Sequence, residues 1–209
     1  MMTEALATGL QELGLDLEAP VQQQLCRFAQ AVLDQNQVMN LTAITDPDQV
    51  ARLHLVDSLT VLKTMDLAGK RVIDVGCGAG FPGVPLKIAC PRMELTLLDS
   101  LGKRVKWLQS ILPQLGVEAR CVAARAEEAV STCRESYDIA ASRAVARLNI
   151  LLELTAPFVK VGGYVLAMKG TAAREELAEA KNALGRLGLL VEKIQGVPMG
   201  DTSPGGLVL

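Results

Sequence analysis

The chain has 209 residues, half of them hydrophobic, which is sufficient for one α/β domain of ordinary size with a small additional segment. A formal net charge of −2 excludes a protein held on nucleic acid mainly by an overall positive field, so any such contact must come from a local basic patch. Aromatic residues make up only 3% of the chain, which excludes an extensive base-stacking platform.

The five cysteines and the single histidine indicate a reducing compartment and no metal site. No two cysteines have Cys-x-x-Cys spacing and none has a histidine nearby, so neither a zinc site nor a disulfide framework is predicted. The N-terminus lacks the basic region and apolar core of a signal peptide, and no apolar stretch approaches the roughly 20 residues of a spanning helix. We therefore expect a cytoplasmic monomer that contacts no membrane.

Residues 1–68 are predicted to form an N-terminal helical appendage. Apolar residues recur at helical spacing over residues 21–33, and Pro20 stands where a first helical turn would begin. Asp46 followed by Pro47 is typical of a second helix start, because the carboxylate caps the first turn and proline tolerates its first position.

This second helix carries His54, the sole histidine, and Asp57. With no second ligand in its neighbourhood, His54 is not expected to bind a metal. We expect instead a structural hydrogen bond, with Asp57 as a candidate partner, in preference to a catalytic role.

From residue 71 onward the pattern changes to alternating strands and helices. Strands are predicted near residues 71–75, 94–98, 118–123, 137–141 and 163–168, with helices near 82–90, 102–114, 146–157 and 171–186. Such alternation predicts an α/β fold with a doubly wound, mostly parallel sheet, here a Rossmann-like domain over residues 69–209. Ligands of such sheets bind beyond the carboxyl ends of the strands, so those ends supply the candidate site residues.

The first strand runs into a dense glycine cluster. Asp74 is followed by Gly76, Gly78, Gly80 and Gly83, and glycines let the backbone adopt positive φ while leaving room for a ligand. Their spacing also satisfies the dinucleotide fingerprint, so NAD(P), S-adenosylmethionine (AdoMet) and a purely structural turn all stay open on the glycines alone. Asp74 favours AdoMet, because Asp-x-Gly-x-Gly-x-Gly resembles motif I of AdoMet methyltransferases.

The other strand ends add polar candidates. Asp99 ends the second strand, where an acid can accept both hydroxyls of a ribose. The third, fourth and fifth strands are followed by Ala126 and Glu127, by Arg143, and by Lys169. Arg143 cannot act as a base at ordinary pH, but it can hydrogen-bond a nucleobase, a phosphate or a cofactor carboxylate. A solvated or ion-paired arginine is the alternative.

The best basic cluster follows Asp99 at the start of a predicted helix. It consists of Lys103, Arg104 and Lys106, and we interpret it either as a contact to RNA phosphates or as a solvated helix face. Arg147, Lys169 and Arg174 would extend the patch along the same edge. The strand ends contain neither an Asp/Asn-Pro-Pro-aromatic turn nor a Pro-Cys pair, which disfavours methylation of an exocyclic amine or of a pyrimidine ring.

Seven ordered windows together resemble the RsmG (GidB) family of bacterial 16S rRNA methyltransferases. They are residues 40–43, 54–59, 74–86, 98–105, 125–128, 142–146 and 169–170, and the likeness runs from about residue 20 to 185. The resemblance implies a class I AdoMet-dependent methyltransferase that methylates guanine N7 in 16S rRNA (position 527 in the reference rRNA numbering), either free or in the small ribosomal subunit. The chain departs from the family pattern over residues 198–209, where a basic closing strand is missing, so we expect a short last strand.

The resemblance also implies a set of site residues. Cofactor contacts are expected at Gly76, Gly78, Phe81, Asp99, Ala126, Glu127 and Arg143, with Arg143 near the reacting end. Guanine N7 carries a lone pair at neutral pH, so we expect Arg143 to orient the reactants and no residue to act as general base. A small-metabolite methyltransferase and a non-catalytic AdoMet-binding ribosome-assembly factor remain the alternatives.

Overall fold

The strands form a single mixed sheet in the computed structural model, which describes residues 1–196 and the backbone of residues 207–208. The strands are β1 (Arg71–Val75), β2 (Glu94–Asp99), β3 (Arg120–Ala123), β4 (Tyr137–Arg143), β5 (Val159–Met168) and β6 (Leu207–Val208). Their order is β3-β2-β1-β4-β5-β6, and all neighbours are parallel except β5 and β6. The predicted doubly wound parallel sheet is confirmed. Of β6 the structure describes Leu207 and Val208, and residues 197–206 and 209, on which the expected short last strand depends, lie outside the described part.

Helices cover both faces of this sheet. They are α1 (Met2–Leu13), α2 (Ala19–Met39), α3 (Pro47–Val50), α4 (Asp57–Leu59), α5 (Gly83–Ala89), α6 (Gly102–Ile111), α7 (Ala126–Cys133), α8 (Leu148–Thr155), α9 (Ala173–Glu179) and α10 (Lys181–Leu187). The prediction missed α7, because this helix has only eight residues and its apolar face consists mostly of small side chains, Ala126, Ala129, Val130 and Cys133. The helix predicted over 171–186 is two helices, α9 and α10, which meet at Ala180.

The N-terminal helical segment contains an irregular turn. The Asp46 carboxylate accepts the backbone N–H of Gln49 at 2.8 Å and caps α3, as predicted. The chain then winds into a π-helical turn, Ala51–Val56, before α4 and a 3₁₀ turn, Thr60–Lys63. π-Helical turns are rare and are frequently found at functional sites. His54 is one of the residues of this turn, and Asp57 follows the turn directly.

Two apolar clusters cover the two faces of the sheet. Neighbouring residues of β1 alternate between them, as the period of two in a strand requires: Val72 belongs to the cluster beneath the N-terminal helices, and Ile73 to that beneath α8. The first cluster joins Leu6 and Phe28 of the N-terminal helices to Leu97 of β2. The boundary predicted at residues 68/69 therefore marks a change from helices to sheet, whereas the packing is continuous across it.

Candidate functional site

The loop between β1 and α5 is built on glycines in the left-handed region. Gly76, Gly78 and Gly80 have φ values of 72°, 55° and 99°. A Cβ on Gly76 would lie 2.5 Å from a methyl of Val145, and a Cβ on Gly80 would lie 2.8 Å from Val84. A Cβ on Gly78 would meet no atom of the described residues within 4 Å. The loop thus packs tightly at both ends and leaves its middle open to a ligand.

Asp74 lies beneath this loop and is fully buried. One carboxylate oxygen accepts the backbone N–H of Gly83 at 2.8 Å, and the other has no hydrogen-bond partner among the described residues. Burial raises the pKa of Asp74 to about 7, while the Gly83 hydrogen bond and the charge of Arg143 oppose the shift and the charge of Asp99 adds to it. Asp74 therefore links β1 to the first turn of α5, across the glycine loop that connects them.

Asp99 organises the same loop from the neighbouring strand. Its side-chain oxygens accept the backbone N–H groups of Gly78 and Leu101, each at 2.8 Å, and the residue is only 6% exposed. Each carboxylate oxygen can accept a second donor, so the group is still able to receive ligand hydroxyls. Cys77 is buried and its pKa is raised well above the ordinary value by burial, which agrees with a small-residue position and not with a nucleophile.

Arg143, at the end of β4, is bound to the N-terminal segment. Its Nη1 donates to the Asp57 carboxylate at 3.0 Å and to the Leu53 carbonyl at 3.2 Å, and its Nη2 lies 3.1 Å from His54 Nδ1. The carbon at the centre of the guanidinium lies 5.2 Å from the centroid of the Phe81 ring. The expected partnership between His54 and Asp57 is thus indirect, because both bind Arg143.

Phe81 packs into the same cluster. Its ring stacks on His54 at 4.8 Å between centroids and contacts Phe28 of α2 at 5.2 Å, which leaves it 5% exposed. The side chain predicted to contact the cofactor therefore joins the glycine loop to the N-terminal helices. At the end of β3, Ala126 and Glu127 form the first turn of α7, where Glu127 is exposed.

The predicted basic patch divides into two parts. Lys103 and Lys106 are exposed on α6, Arg104 is partly exposed, and none of the three forms an ion pair with a residue that the structure describes. They remain available to an anionic partner.

Arg147 and Lys169 instead form ion pairs with glutamates of α9. Arg147 lies 2.6 Å from the Glu179 carboxylate, and Lys169 is buried, 2.8 Å from the Glu176 carboxylate, and also donates to the Ala146 carbonyl. The RNA contact predicted for Lys169 is not supported by this arrangement, because its charge is already neutralised out of solvent.

Comparison with known proteins identifies the family. A family model described as GidB, rRNA small subunit methyltransferase G, matches residues 21–201. The chain belongs to this family. Proteins named ribosomal RNA small subunit methyltransferase G are 44% identical in Alkaliphilus metalliredigens, over 98% of this chain and 88% of that protein, and 45% identical in Caldanaerobacter subterraneus, over 91% and 81%.

Solved structures agree on the fold of this GidB family member. A SAM dependent methyltransferase from Aquifex aeolicus is 19% identical, with a TM-score of 0.61 over 81% of this chain and 95% of that one. A precorrin-6y C5,15-methyltransferase from Geobacter metallireducens is 15% identical, with a TM-score of 0.53 over 73% and 84%. At these identities the likeness shows the class I methyltransferase fold alone, as predicted.

The GidB fold brings most of the predicted residues to one edge of the sheet. Gly78 and Asp99 are joined by a hydrogen bond, and Arg143 lies against the Phe81 ring of the same loop. Sequence reasoning missed Thr42, whose hydroxyl lies 2.7 Å from His54 Nε2, and assigned Asp57 the wrong partner. The available signal was that the resemblance includes residues 40–43 and 54–59, which lie outside the glycine-loop half of the chain.

None of the helices in the described ranges is long and apolar enough to span a bilayer. Within the same ranges, no three His, Cys, Asp or Glu side chains are grouped so that they could hold a metal ion.

Proposed function

We propose that this GidB family protein transfers a methyl group from AdoMet to N7 of a guanine in small-subunit ribosomal RNA. The observation that carries the proposal is the open face of Gly78 beside the Asp99 carboxylate, in a chain that belongs to a family of rRNA small subunit methyltransferases.

The residues at the strand ends fit AdoMet. The open loop at Gly78 would admit the amino-acid end, and Asp99 has acceptor capacity left for ribose hydroxyls. Ala126 and Glu127 would lie beside the adenine. A dinucleotide fits less well, because the first amide of α5, on Gly83, is directed at the buried Asp74 carboxylate and not toward a pyrophosphate. When bound, AdoMet supplies an electrophilic sulfonium methyl group.

The side chains around Arg143 favour an acceptor that needs no general base. His54 is held at both ring nitrogens, by Arg143 and by Thr42, and its pKa is lowered to about 4, first by burial and then by the Arg143 charge. Asp57 is bound by the same guanidinium. Guanine N7 has an in-plane lone pair and can attack without losing a proton, so alignment and electrostatics suffice.

The proposed substrate is 16S rRNA, either free or within the small subunit, contacted through Lys103, Arg104 and Lys106. A monomeric state, a cytoplasmic location and the position of the target nucleotide stay expectations from the sequence.

The test is methyl transfer from labelled AdoMet to small subunits from cells that lack this enzyme. We expect N7-methylguanosine in the rRNA, a single-turnover rate nearly flat from about pH 6.5 to 8.5, and no transfer to rRNA that carries 7-deazaguanine at the target. A rate that rises tenfold per pH unit, or methylation of the deaza substrate, would refute the N7 assignment. Transfer to a metabolite pool alone, or binding without turnover, would favour one of the two alternatives.

The cofactor assignment is tested by calorimetry. Asp99→Ala should weaken AdoMet binding by about 1–3 kcal/mol, because charge-assisted hydrogen bonds to the ribose are removed. Asp138→Ala, in an exposed ion pair with Lys160 near the amino end of β4, is the matched control and should leave binding unchanged. Tight NAD binding with no AdoMet heat would overturn the assignment.

A further inference from the structure

The N-terminal segment supplies three acceptors for the Arg143 guanidinium. They are the Leu53 carbonyl and the His54 ring nitrogen of the π-helical turn, and the Asp57 carboxylate directly after it, at 3.2, 3.1 and 3.0 Å. The Arg143 side chain is 16% exposed and that of Asp57 19%, so the ion pair is largely withdrawn from water. A guanidinium bound at two of its nitrogens has one orientation, which a point charge such as lysine would not have.

The hydrogen bonds also favour one tautomer of His54. Its Nδ1 lies 3.1 Å from both Arg143 Nη2 and the Leu53 carbonyl. Arginine can only donate, and the Leu53 carbonyl already accepts from Arg143 Nη1, so Nδ1 accepts from Nη2 and the ring proton is on Nε2. That proton is donated to the Thr42 hydroxyl oxygen at 2.7 Å. The Thr42 backbone N–H is in turn held by the Asn36 side chain of α2 at 2.9 Å. A continuous chain of hydrogen bonds therefore runs from α2 to the end of β4.

The Phe81 ring restrains the planes of the His54 imidazole and the Arg143 guanidinium by lying against both. The Phe81 ring lies against both the His54 ring, with 29° between planes, and the guanidinium, at 5.2 Å. Phe81 belongs to the loop that begins with Gly76, so a displacement of His54 would disturb the loop and Arg143 together. Burial raises the pKa of Asp57 and the neighbouring Arg143 opposes that shift, so the Asp57 carboxylate depends on Arg143 for its charge.

We propose that His54 and Asp57 are positioning residues for the methyl transfer: they fix the guanidinium of Arg143 at the end of β4, and the N-terminal helices are thereby part of the active site. The effect on turnover rests on the proposed function. The hydrogen-bond network itself is testable without any activity.

The first experiment uses nuclear magnetic resonance of the imidazole, whose signals are unambiguous because the chain has one histidine. We expect the wild-type ring to be neutral at pH 7 with its proton on Nε2. Arg143→Gln should shift the Nδ1 resonance and raise the pH at which the ring titrates, because a cation is removed and Asp57 is left uncompensated. Arg147→Gln removes an equal charge four residues away and should leave both properties unchanged.

The second experiment measures single-turnover methyl transfer to small subunits. His54→Ala and Asp57→Asn should lower the rate at least tenfold, while the Kd for AdoMet and the KM for subunits stay within threefold. His54→Asn should recover to within threefold of wild type, because its amide oxygen can accept from Arg143 where Nδ1 did. Asp48→Asn is the matched control in the same segment, since Asp48 contacts only the N-terminal amine at 3.4 Å among the ion pairs described, and it should be unaffected.

Several results would overturn the proposal. One is wild-type turnover in both folded variants, His54→Ala and Asp57→Asn. Another is a decline that falls equally on the rate, the KM and the Kd and is not rescued by His54→Asn, which is the behaviour of a merely structural segment. A third is an imidazole that titrates near pH 6.5 and does not respond to Arg143→Gln. If wild type methylates no rRNA, the proposed function fails, and the imidazole measurement still decides whether the network exists.

Discussion

Asp74 shows how a residue can be predicted from sequence for one reason and serve another. Its place before the glycines identified the motif, but its carboxylate is fully buried beneath the loop, with one oxygen on Gly83 and the other without a described partner. A carboxyl group in this setting prefers to be protonated, because it is buried and only one described donor compensates the charge of the ionised form. The protonation state of Asp74 therefore affects how the stability of the protein depends on pH.

We expect Asp74→Asn to become relatively more stable as pH rises. The folded pKa of Asp74 is about 7 and the ordinary value is 3.8, so the folded state binds the proton more tightly and stability is lost as pH rises through this window. Asparagine does not titrate. The unfolding free energy of the variant minus that of wild type should therefore increase by at most about 1.4 kcal/mol per pH unit between about pH 4 and 7, then level off.

Urea denaturation at pH 5, 6, 7 and 8 measures this difference. His54 has the opposite sign, since its folded pKa of about 4 lies below 6.5 and stability is lost as pH falls through that range, but its contribution cancels between the two proteins. Asp138→Asn is the control: the Arg71 backbone N–H lowers the pKa of Asp138, so its difference from wild type should be flat from pH 5 to 8. A flat difference for Asp74→Asn would contradict the assignment.

Contacts across long sequence separations explain what residue-level prediction missed. The strand-end residues were predictable, because parallel strands bring their carboxyl ends to one edge whatever the details of packing. The contact between His54 and Arg143 joins residues 89 positions apart and on different kinds of element. No local periodicity encodes such a contact, so the sequence indicated the two residues separately and not their pairing.

At the scale of elements, α9 is a surface helix that acts through its carboxylates. It buries no residue of its own, yet Glu176 accepts the backbone N–H of Leu148 at 2.8 Å and pairs with Lys169. Lys169 also holds the Ala146 carbonyl. These bonds fix residues 144–147, the segment whose Val145 covers Gly76. The prediction of a single helix over 171–186 did not indicate this role, because the donors to Glu176, on Leu148 and Lys169, belong to other segments of the chain.

We expect Glu176→Gln to lower the unfolding free energy by about 2–4 kcal/mol. The side chains of Lys169 and Glu176 are only 7% and 15% exposed, so removing one charge leaves the other buried and uncompensated. Glu175→Gln is the same change one residue earlier, where the carboxylate is 71% exposed and 3.6 Å from Arg147, and it should cost under about 0.5 kcal/mol. Equal effects of the two substitutions in denaturant unfolding would show that burial of the Lys169 pair contributes nothing.

For the whole molecule, the fold class was predictable because alternating strands and helices admit few arrangements. The relation of the N-terminal helices to the sheet was not. They share one apolar cluster with the sheet, and they reach the strand ends through the π-helical turn Ala51–Val56, a local irregularity that no apolar spacing announces. The helices called an appendage from sequence are one of the layers that cover the sheet.

The net charge of the whole protein does not favour RNA binding, so local basic residues must supply the contact. The net charge is −2, and the structure neutralises Arg147 and Lys169 within the protein. Lys103, Arg104 and Lys106 remain beside the Asp99 end of the site. Arg125 and Arg174 are also exposed after β3 and β5. RNA binding should therefore depend on a local patch that includes this face of α6, and not on the overall field.

We expect Ala at Lys103, Arg104 and Lys106 together to raise the KM for small subunits and to flatten its salt dependence. Each phosphate that the protein no longer neutralises should reduce the slope of log KM against log salt by about 0.7–0.9, so the slope should fall by about 2–3 in the triple variant if all three cations bind phosphate. AdoMet binding should stay within twofold, since none of the three is a predicted cofactor contact. Steady-state kinetics between 50 and 200 mM salt supply the measurement.

The matched control removes the same charge from the opposite edge of the sheet. Lys70, Arg92 and Lys160 are exposed at or near the amino ends of β1, β2 and β5, and replacing them with Ala changes the net charge equally. If this control weakens RNA binding as much as the α6 variant, the overall charge of the protein governs the encounter. If neither variant changes the salt slope, the α6 cations form a solvated helix face and the RNA is held elsewhere. Weakened binding confined to the α6 variant would place the rRNA backbone beside Asp99, where the target base can reach the end of β4.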